Sequence, residues 1–329
     1  MNIAVVGVGA MGCLLGASLG GLSDVILVGH WPEQVAAIAQ HGLWLEHPDG
    51  RRSHHWPRIT ADIAAVGRVD VALVAVKSRQ TAVAAAEIAR FLPPGGLAVT
   101  LQNGLNNRAI LRGLLGDRRV SLGVTSEGAT VLGVAEVRHA GHGLTHFGRD
   151  EALGETQQAR LPELVELFNH AGFATQLVDD IDGLVWGKLA VNAAINPLTA
   201  LLRVPNGFLL EHEPLVAIMS EAAREVAAVA AAQGIALPYD DAADRAIAVA
   251  RATSANRSSM LQDVLRGAPT EVEAICGAVA RVGRELGVPT PVNIRLCRLV
   301  RRTQSGDPPL ATAGDVTGLL RLMSKESTH

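Results

Sequence analysis

Asn2-Ile3-Ala4-Val5-Val6-Gly7-Val8-Gly9-Ala10-Met11-Gly12-Cys13-Leu14-Leu15-Gly16 is the stretch whose reading decides the fold. Residues 3–6 are a short continuous apolar run, the pattern of a parallel strand covered on both faces. Gly7-Val8-Gly9-Ala10-Met11-Gly12 follows at once, and an Ala/Leu-rich helix runs on to about Gly20. A Gly-x-Gly-x-x-Gly between a buried strand and a helix is a dinucleotide-binding turn. Gly7 allows the tight turn, Gly9 lets backbone approach a pyrophosphate at the helix N-terminus, and Gly12 lets helix and strand pack closely. With 34 glycines in the chain, the motif alone is weak; its position gives it meaning.

Working outward, the same strand–helix alternation continues. Strands are expected at 24–28, 69–76 and 97–101, with helices at 32–40 and 80–91. Residues 43–59 carry three His, two Trp and three Arg without clear period, and read as a hairpin insertion. Residues 121–147 change to short alternating pieces, expected to be the last strands of the sheet. A helix follows at 161–170. Beyond Asp179-Asp180 the pattern is helical: 181–202, 211–233, 242–250, 256–265 and 270–286, with Gly/Pro breakers between them. The tail after Gly318 is expected to fray. The fold class is therefore α/β: an N-terminal Rossmann-type, doubly wound parallel sheet (1–172) with an all-helical substrate and dimerisation domain (173–329). A chain of 329 residues fits two such domains at about 150 residues each.

Composition narrows the class further. Lys plus Arg number 29 against 32 for Asp plus Glu, a net charge of −3, which argues against nucleic-acid and anionic-membrane surfaces. Apolar runs stop short of the ~18 residues that span a bilayer. Cys13, Cys276 and Cys297 are too few and too scattered for a disulfide framework and read as small buried groups. Met1-Asn2 leads straight into the first strand with no basic stretch of a signal peptide. A soluble cytoplasmic protein is expected, with a homodimer as one possible assembly through the Ala-rich segment 221–232.

The end of the second strand selects the dinucleotide. An NAD site usually places Asp or Glu there for the ribose 2′-OH. Here Val28-Gly29-His30-Trp31 offers no acid before Glu33. His30, Arg51, Arg52 and Lys77 are candidate cations for a 2′-phosphate, so NADP is favoured, with His30 a weaker clamp than arginine.

Further along stand Lys77, Gln102-Asn103-Gly104, Trp186-Gly187-Lys188-Leu189-Ala190-Val191-Asn192, Ile195-Asn196-Pro197-Leu198-Thr199-Ala200, Pro205-Asn206-Gly207, Ser258-Ser259-Met260-Leu261-Gln262-Asp263 and Pro269-Thr270-Glu271-Val272-Glu273. In this order and spacing the chain closely resembles the ketopantoate reductase (2-dehydropantoate 2-reductase) family over nearly its whole length. The resemblance implies a Rossmann plus all-helical fold and NADPH-dependent reduction of ketopantoate to pantoate, for pantothenate and coenzyme A synthesis. It implies Lys188 as catalytic general acid and Glu271 as the residue orienting substrate and its hydroxyl. One departure stands out: many members carry arginine where this chain has His30.

Chemistry gives its own account of the same residues. Lys188, Asn192 and Asn196 lie at i, i+4 and i+8 on one helix and share a face. A ketone under reduction needs a proton donor, and a desolvated lysine suits that role; a solvated face or helix-tying amides are the competing account. Asn256, Ser259 and Asp263 form a second polar face, the first two as donors to a substrate carboxylate or carbonyl. Asp263 reads as a helix cap or lysine-orienting partner. Asn103, on the carboxyl edge of the sheet, is expected to touch nicotinamide ribose and substrate. Gly7, Gly9, Ala10, Met11, Gly12, His30, Lys77, Asn103 and Glu271 are the expected cofactor contacts. His139, His142 and His146 invite a metal site, but with no carboxylate or thiol nearby in sequence none is expected. The alternatives to ketopantoate reduction are a related reductase of another 2-keto or 3-keto acid, and a non-catalytic dinucleotide sensor or scaffold.

Overall fold

The structure is a computed structural model that describes residues 1–304, 310 and 312–324. Two compact units emerge: Met1–Gln102 with Asn106–Ile181, and Asn103–Leu105 with the chain from Asp182 onward.

In the first unit the elements run β1 (Asn2–Val6), α1 (Ala10–Leu19), β2 (Asp24–Val28), α2 (Pro32–His41), β3 (Leu43–Glu46), β4 (Arg52–His55), β5 (Arg58–Thr60), β6 (Val71–Val74), α3 (Thr81–Phe91) and β7 (Leu97–Thr100). They continue through α4 (Asn107–Leu115), β8 (Val120–Thr125), β9 (Gly128–Gly133), β10 (Glu136–Gly141), β11 (Thr145–Gly148), α5 (Glu155–His170) and β12 (Thr175–Val178). An eight-stranded sheet has the order β12-β11-β8-β7-β6-β1-β2-β5. Its six strands from β8 to β5 are parallel neighbours, and only β11 runs antiparallel to β8. Strand order reverses between β1 and β6, the switch point where open α/β sheets bind ligands.

Alternation along the strands makes two cores. Ile3, Val5, Leu27 and Leu73 face α1, α5 and the smaller sheet, whereas Ala4, Val6, Ile26 and Val74 face α3 and α4. Each large side chain so buried contributes about 1.5–3 kcal/mol.

Two expectations need correction. Residues 43–59 are not only a hairpin: β3 and β4 pair antiparallel, but β5 adds a third parallel strand beside β2. Nor do all the strands between 121 and 147 join the main sheet. β9 and β10 pair with β3 in a second sheet, β4-β3-β10-β9. That sheet is fastened through buried Gln34, whose amide oxygen accepts from Ala135 N at 2.8 Å and whose Nε2 reaches Val8 O at 3.4 Å. The sequence showed short strands but not which of two sheets they would join. β12 pairs with β11 and belongs to the first unit, which runs to Ile181.

The regular elements of the second unit, among its described residues, are helices: α6 (Ile181–Leu202), α7 (Glu213–Ala231), α8 (Ala242–Ala252), α9 (Ser259–Leu265), α10 (Ala278–Leu286), α11 (Pro291–Gln304) and α12 (Val316–Ser324). Its own core gathers Leu189, Leu198, Met219, Val226, Ile275 and Leu296. The expected fraying after Gly318 is overturned as far as Ser324, since α12 buries Leu319; residues 325–329 lie outside the described ones. Cys13, Cys276 and Cys297 are free and buried. No helix among the described residues is long and apolar enough to cross a membrane.

Candidate functional site

The glycine turn has the geometry of a phosphate cradle. Gly7 has φ +119°, and a Cβ there would meet the Ala75–Val76 backbone at 2.8 Å. Its N–H donates to Val28 O at 2.8 Å, fixing the turn to the end of β2. Gly9, the N-cap of α1, has open space where a Cβ would stand. No acidic residue occupies the first turn of α1, and no side chain caps it. Free N–H groups at an uncrowded helix N-terminus suit a pyrophosphate, so Gly7, Gly9, Ala10, Met11 and Gly12 fit a dinucleotide. Close approach is shared by two glycines. A Cβ on Gly12 would run into the Gly7 carbonyl, and one on Gly16 into Leu27, 2.6 Å away.

Beyond the end of β2, the structure adds a carboxylate that sequence order hid. His30 Nε2 lies 2.6 Å from Glu87 Oε1, contributed by α3. Arg51 pairs with Asp49, and Arg52 pairs with Glu136 while covering the Trp44 ring at 5.0 Å. Lys77 follows β6 and precedes the short 3₁₀ turn Ser78–Gln80. Beside it Gln102 closes the sheet edge: Nε2 donates to Val76 O at 2.8 Å and Thr81 Oγ1 at 2.9 Å.

In the second unit, the long helix α6 carries Lys188, Asn192 and Asn196. Lys188 and Asn192 are half-buried, and Asn196 is buried. Pro197 lacks an N–H and so removes one helical bond inside α6. Two residues on, Thr199 Oγ1 lies 3.0 Å from the carbonyls of Ile195 and Asn196. It is also 2.7 Å from Ser258 Oγ. Burial lowers the Lys188 ammonium to about 8, while the Glu271 carboxylate pushes it back up. Asn103 Nδ2 donates to Glu271 Oε2 at 3.5 Å. Asn103 is held there by its neighbours: Leu105 N donates to Ala274 O at 3.1 Å, and Gly104 has φ +81°. Glu271 itself is buried and precedes a wide π-type turn, Glu273–Gly277, ahead of α10. The regular helix expected from 270 is thus replaced at its start by this turn, a feature frequent at functional sites. Asn103, Lys188 and Glu271, distant in sequence, are therefore one electrostatic group.

The second polar face does not form as the spacing implied. α9 begins at Ser259, capped by Ser258, whose Oγ accepts from Leu261 N at 3.0 Å. Asn256 lies in the preceding loop and is exposed, as is Ser259, so the i, i+3, i+7 face is broken at its first member. The sequence signal for the true start was the Ser258 N-cap, a residue type that favours exactly one end of a helix. Asp263 is buried and accepts from Arg266 Nη2 at 3.0 Å; it does not cap α9.

The histidines also divide differently. His139 Nε2 lies 2.5 Å from Glu127 Oε2, so a carboxylate does stand beside them. His142 makes an edge contact with the His139 ring, while His146 lies on β11, its titration lowered by burial. Glu127 was missed because it meets His139 across a strand pair, 12 residues away.

Comparison with known proteins identifies the family. The profile "Ketopantoate reductase PanE/ApbA" matches residues 3–151, and "Ketopantoate reductase PanE/ApbA C terminal" matches 180–304. The 2-dehydropantoate 2-reductase of Halobacterium salinarum is 37% identical over 305 residues, covering 92% of this chain and 99% of the relative. That of Archaeoglobus fulgidus is 36% identical, covering 93% and 98%. Among solved structures, a PanE/ApbA family ketopantoate reductase from Ralstonia eutropha JMP134 superposes with TM-score 0.84 at 33% identity, covering 93% of this chain and 99% of that one. D-mandelate dehydrogenase, solved with NADH and anilino(oxo)acetate, superposes with TM-score 0.85 at 25% identity, with the same coverage. With both profiles matched and relatives aligned almost end to end, the chain is an oxidoreductase that belongs to the ketopantoate reductase family.

Proposed function

We propose that this chain reduces 2-dehydropantoate to pantoate with NADPH, feeding pantothenate and coenzyme A synthesis in the cytoplasm. The observation that carries this is the Lys188–Glu271–Asn103 group: an ammonium brought to about 8 by burial, with a carboxylate and an amide beside it. When bound, a nicotinamide cofactor would supply a hydride to the keto carbon. Lys188 delivers the proton to the keto oxygen as its charge develops, so one hydride and one proton convert ketone to alcohol. Glu271 keeps Lys188 protonated near neutral pH and orients the nascent hydroxyl. Asn103, Asn192 and Asn196 offer amide groups to the substrate carboxylate and carbonyl, with Ser259 and Asn256 as outlying donors. The glycine turn, with His30 and Lys77, holds the dinucleotide.

A second reading keeps the chemistry and changes the cofactor. His30 is engaged by Glu87, a carboxylate that disfavours a 2′-phosphate and can accept from a 2′-OH. D-mandelate dehydrogenase, similar in structure, was solved with NADH. One assay separates these: initial rates of cofactor oxidation over a range of substrate and cofactor concentrations, with ketopantoate and an aryl 2-keto acid, each with NADPH and NADH. The expected result is highest kcat/KM for ketopantoate with NADPH. Replacing Glu87→Gln should raise NADPH efficiency by up to about fivefold, the worth of one exposed charge contact. Higher efficiency with NADH overturns the cofactor assignment, and preference for the aryl acid overturns the substrate.

A further inference from the structure

The small sheet holds a polar cluster for which the reductase chemistry has no use. Glu127 precedes β9, His139 lies in β10, and His142 follows β10. One ligand atom from each lies within 4.8 Å of the other two, the one such three-residue group among the described residues. In a regular strand, residues three apart point to opposite faces. Here pairing shifts register between His139 and Gly141, a bulge that adds one residue and turns His142 to the side of His139. Their rings meet with centroids 4.4 Å apart.

Glu127 supplies the second, independent observation. Its side chain is 2% exposed. Oε2 faces His139 Nε2, but Oε1 is buried with no hydrogen-bond partner among the described residues. An unpartnered carboxylate oxygen out of water is costly, and a cation beside it removes that cost. Two imidazoles and one carboxylate are the donor set of zinc-class ions, whose ligand bonds of about 2.0–2.2 Å put tetrahedral ligand atoms roughly 3.3–3.5 Å apart. To meet that spacing the 2.5 Å Glu127–His139 contact opens by about 1 Å, and exposed His142 closes in from within 4.8 Å.

We propose that Glu127, His139 and His142 bind one divalent ion of the zinc class, on a different sheet from the glycine turn. The ion takes the place of the proton shared by Glu127 and His139 and clips the open end of the β9–β10 hairpin. Solvent completes its coordination on the exposed His142 side.

The competing metal locus on this sheet is Ser53 with His47 and His55, whose ring nitrogens lie 2.8 and 2.7 Å from its hydroxyl. The test is calorimetric titration of the chelator-treated, untagged full chain with zinc chloride, with Co²⁺ absorption as a report of imidazole coordination. Wild type should bind one equivalent and gain thermal stability. His142→Ala, an exposed change, and Glu127→Gln should each weaken binding at least about tenfold and lose the thermal gain. The His47→Ala/His55→Ala double variant should bind as wild type does. Absence of saturable binding, unchanged affinity in His142→Ala, or loss that follows His47 and His55 overturns the proposal.

Discussion

Lys188 stands under two opposed influences, burial lowering its ammonium to about 8 and the Glu271 carboxylate raising it. As a general acid it must be protonated, so kcat/KM for keto-acid reduction should fall as pH rises through about 8, and alcohol oxidation should rise through the same range. Glu271→Gln removes the influence that raises Lys188, so the break should move to lower pH; initial rates from pH 6 to 10 measure it, and an unmoved break would separate the two residues. Lys188→Ala should keep dinucleotide binding, read by fluorescence titration, and lose roughly 10²- to 10⁴-fold in kcat. Wild-type turnover in that variant would remove Lys188 from the chemistry.

At the scale of elements, helix ends do much of the positioning. Glu225 on α7 is buried and reaches the start of α11: its carboxylate accepts from Val292 N at 2.7 Å, and from Asn293 N and Nδ2 at 2.8 Å each. A side chain from one helix thus caps another, satisfying donors that α11 cannot satisfy itself. Burial raises the titration of this carboxylate while the three donors oppose it. Glu225→Ala leaves those donors unpaired and should cost about 1–3 kcal/mol, read as a lower urea midpoint with an unchanged slope. The glycine turn and α6 were legible in the sequence because their signals are local. The strand, turn and helix of residues 2–19 are contiguous, and α6 matches its expected span of 181–202. The cap from Glu225, the Glu87 partner of His30 and the Glu127 partner of His139 were not legible. Each joins residues between 12 and 68 positions apart, and periodicity carries no information about such meetings. The start of α9 fell in between: Ser258 was in view, but an i, i+3, i+7 pattern reaching back to Asn256 competed with it.

For the molecule as a whole, the order of the chain and the order of its units differ. After β7 the chain lends Asn103–Leu105 to the second unit and then returns to build α4. Gly104 makes this possible, since its φ of +81° is one that side chains rarely adopt and a Cβ there would collide with the Ala274 backbone. Gly104→Val should displace Asn103 from Glu271 and lower kcat by at least about tenfold, with a Tm loss that Gly113→Val, in open space on α4, does not share. A variant of normal activity would show that the tripeptide's path is immaterial.

The loan of three residues sets a rule for recombination. A hybrid spliced at 181/182 from two relatives inherits an Asn-Gly-Leu crossover from one parent and its Ala274 docking face from the other. Single-crossover exchange therefore mixes the two sides of a fitted joint. Exchange that carries residues 103–105 together with the later half keeps the joint intact, so functional chimeras should come from two-segment grafts more readily than from one clean cut.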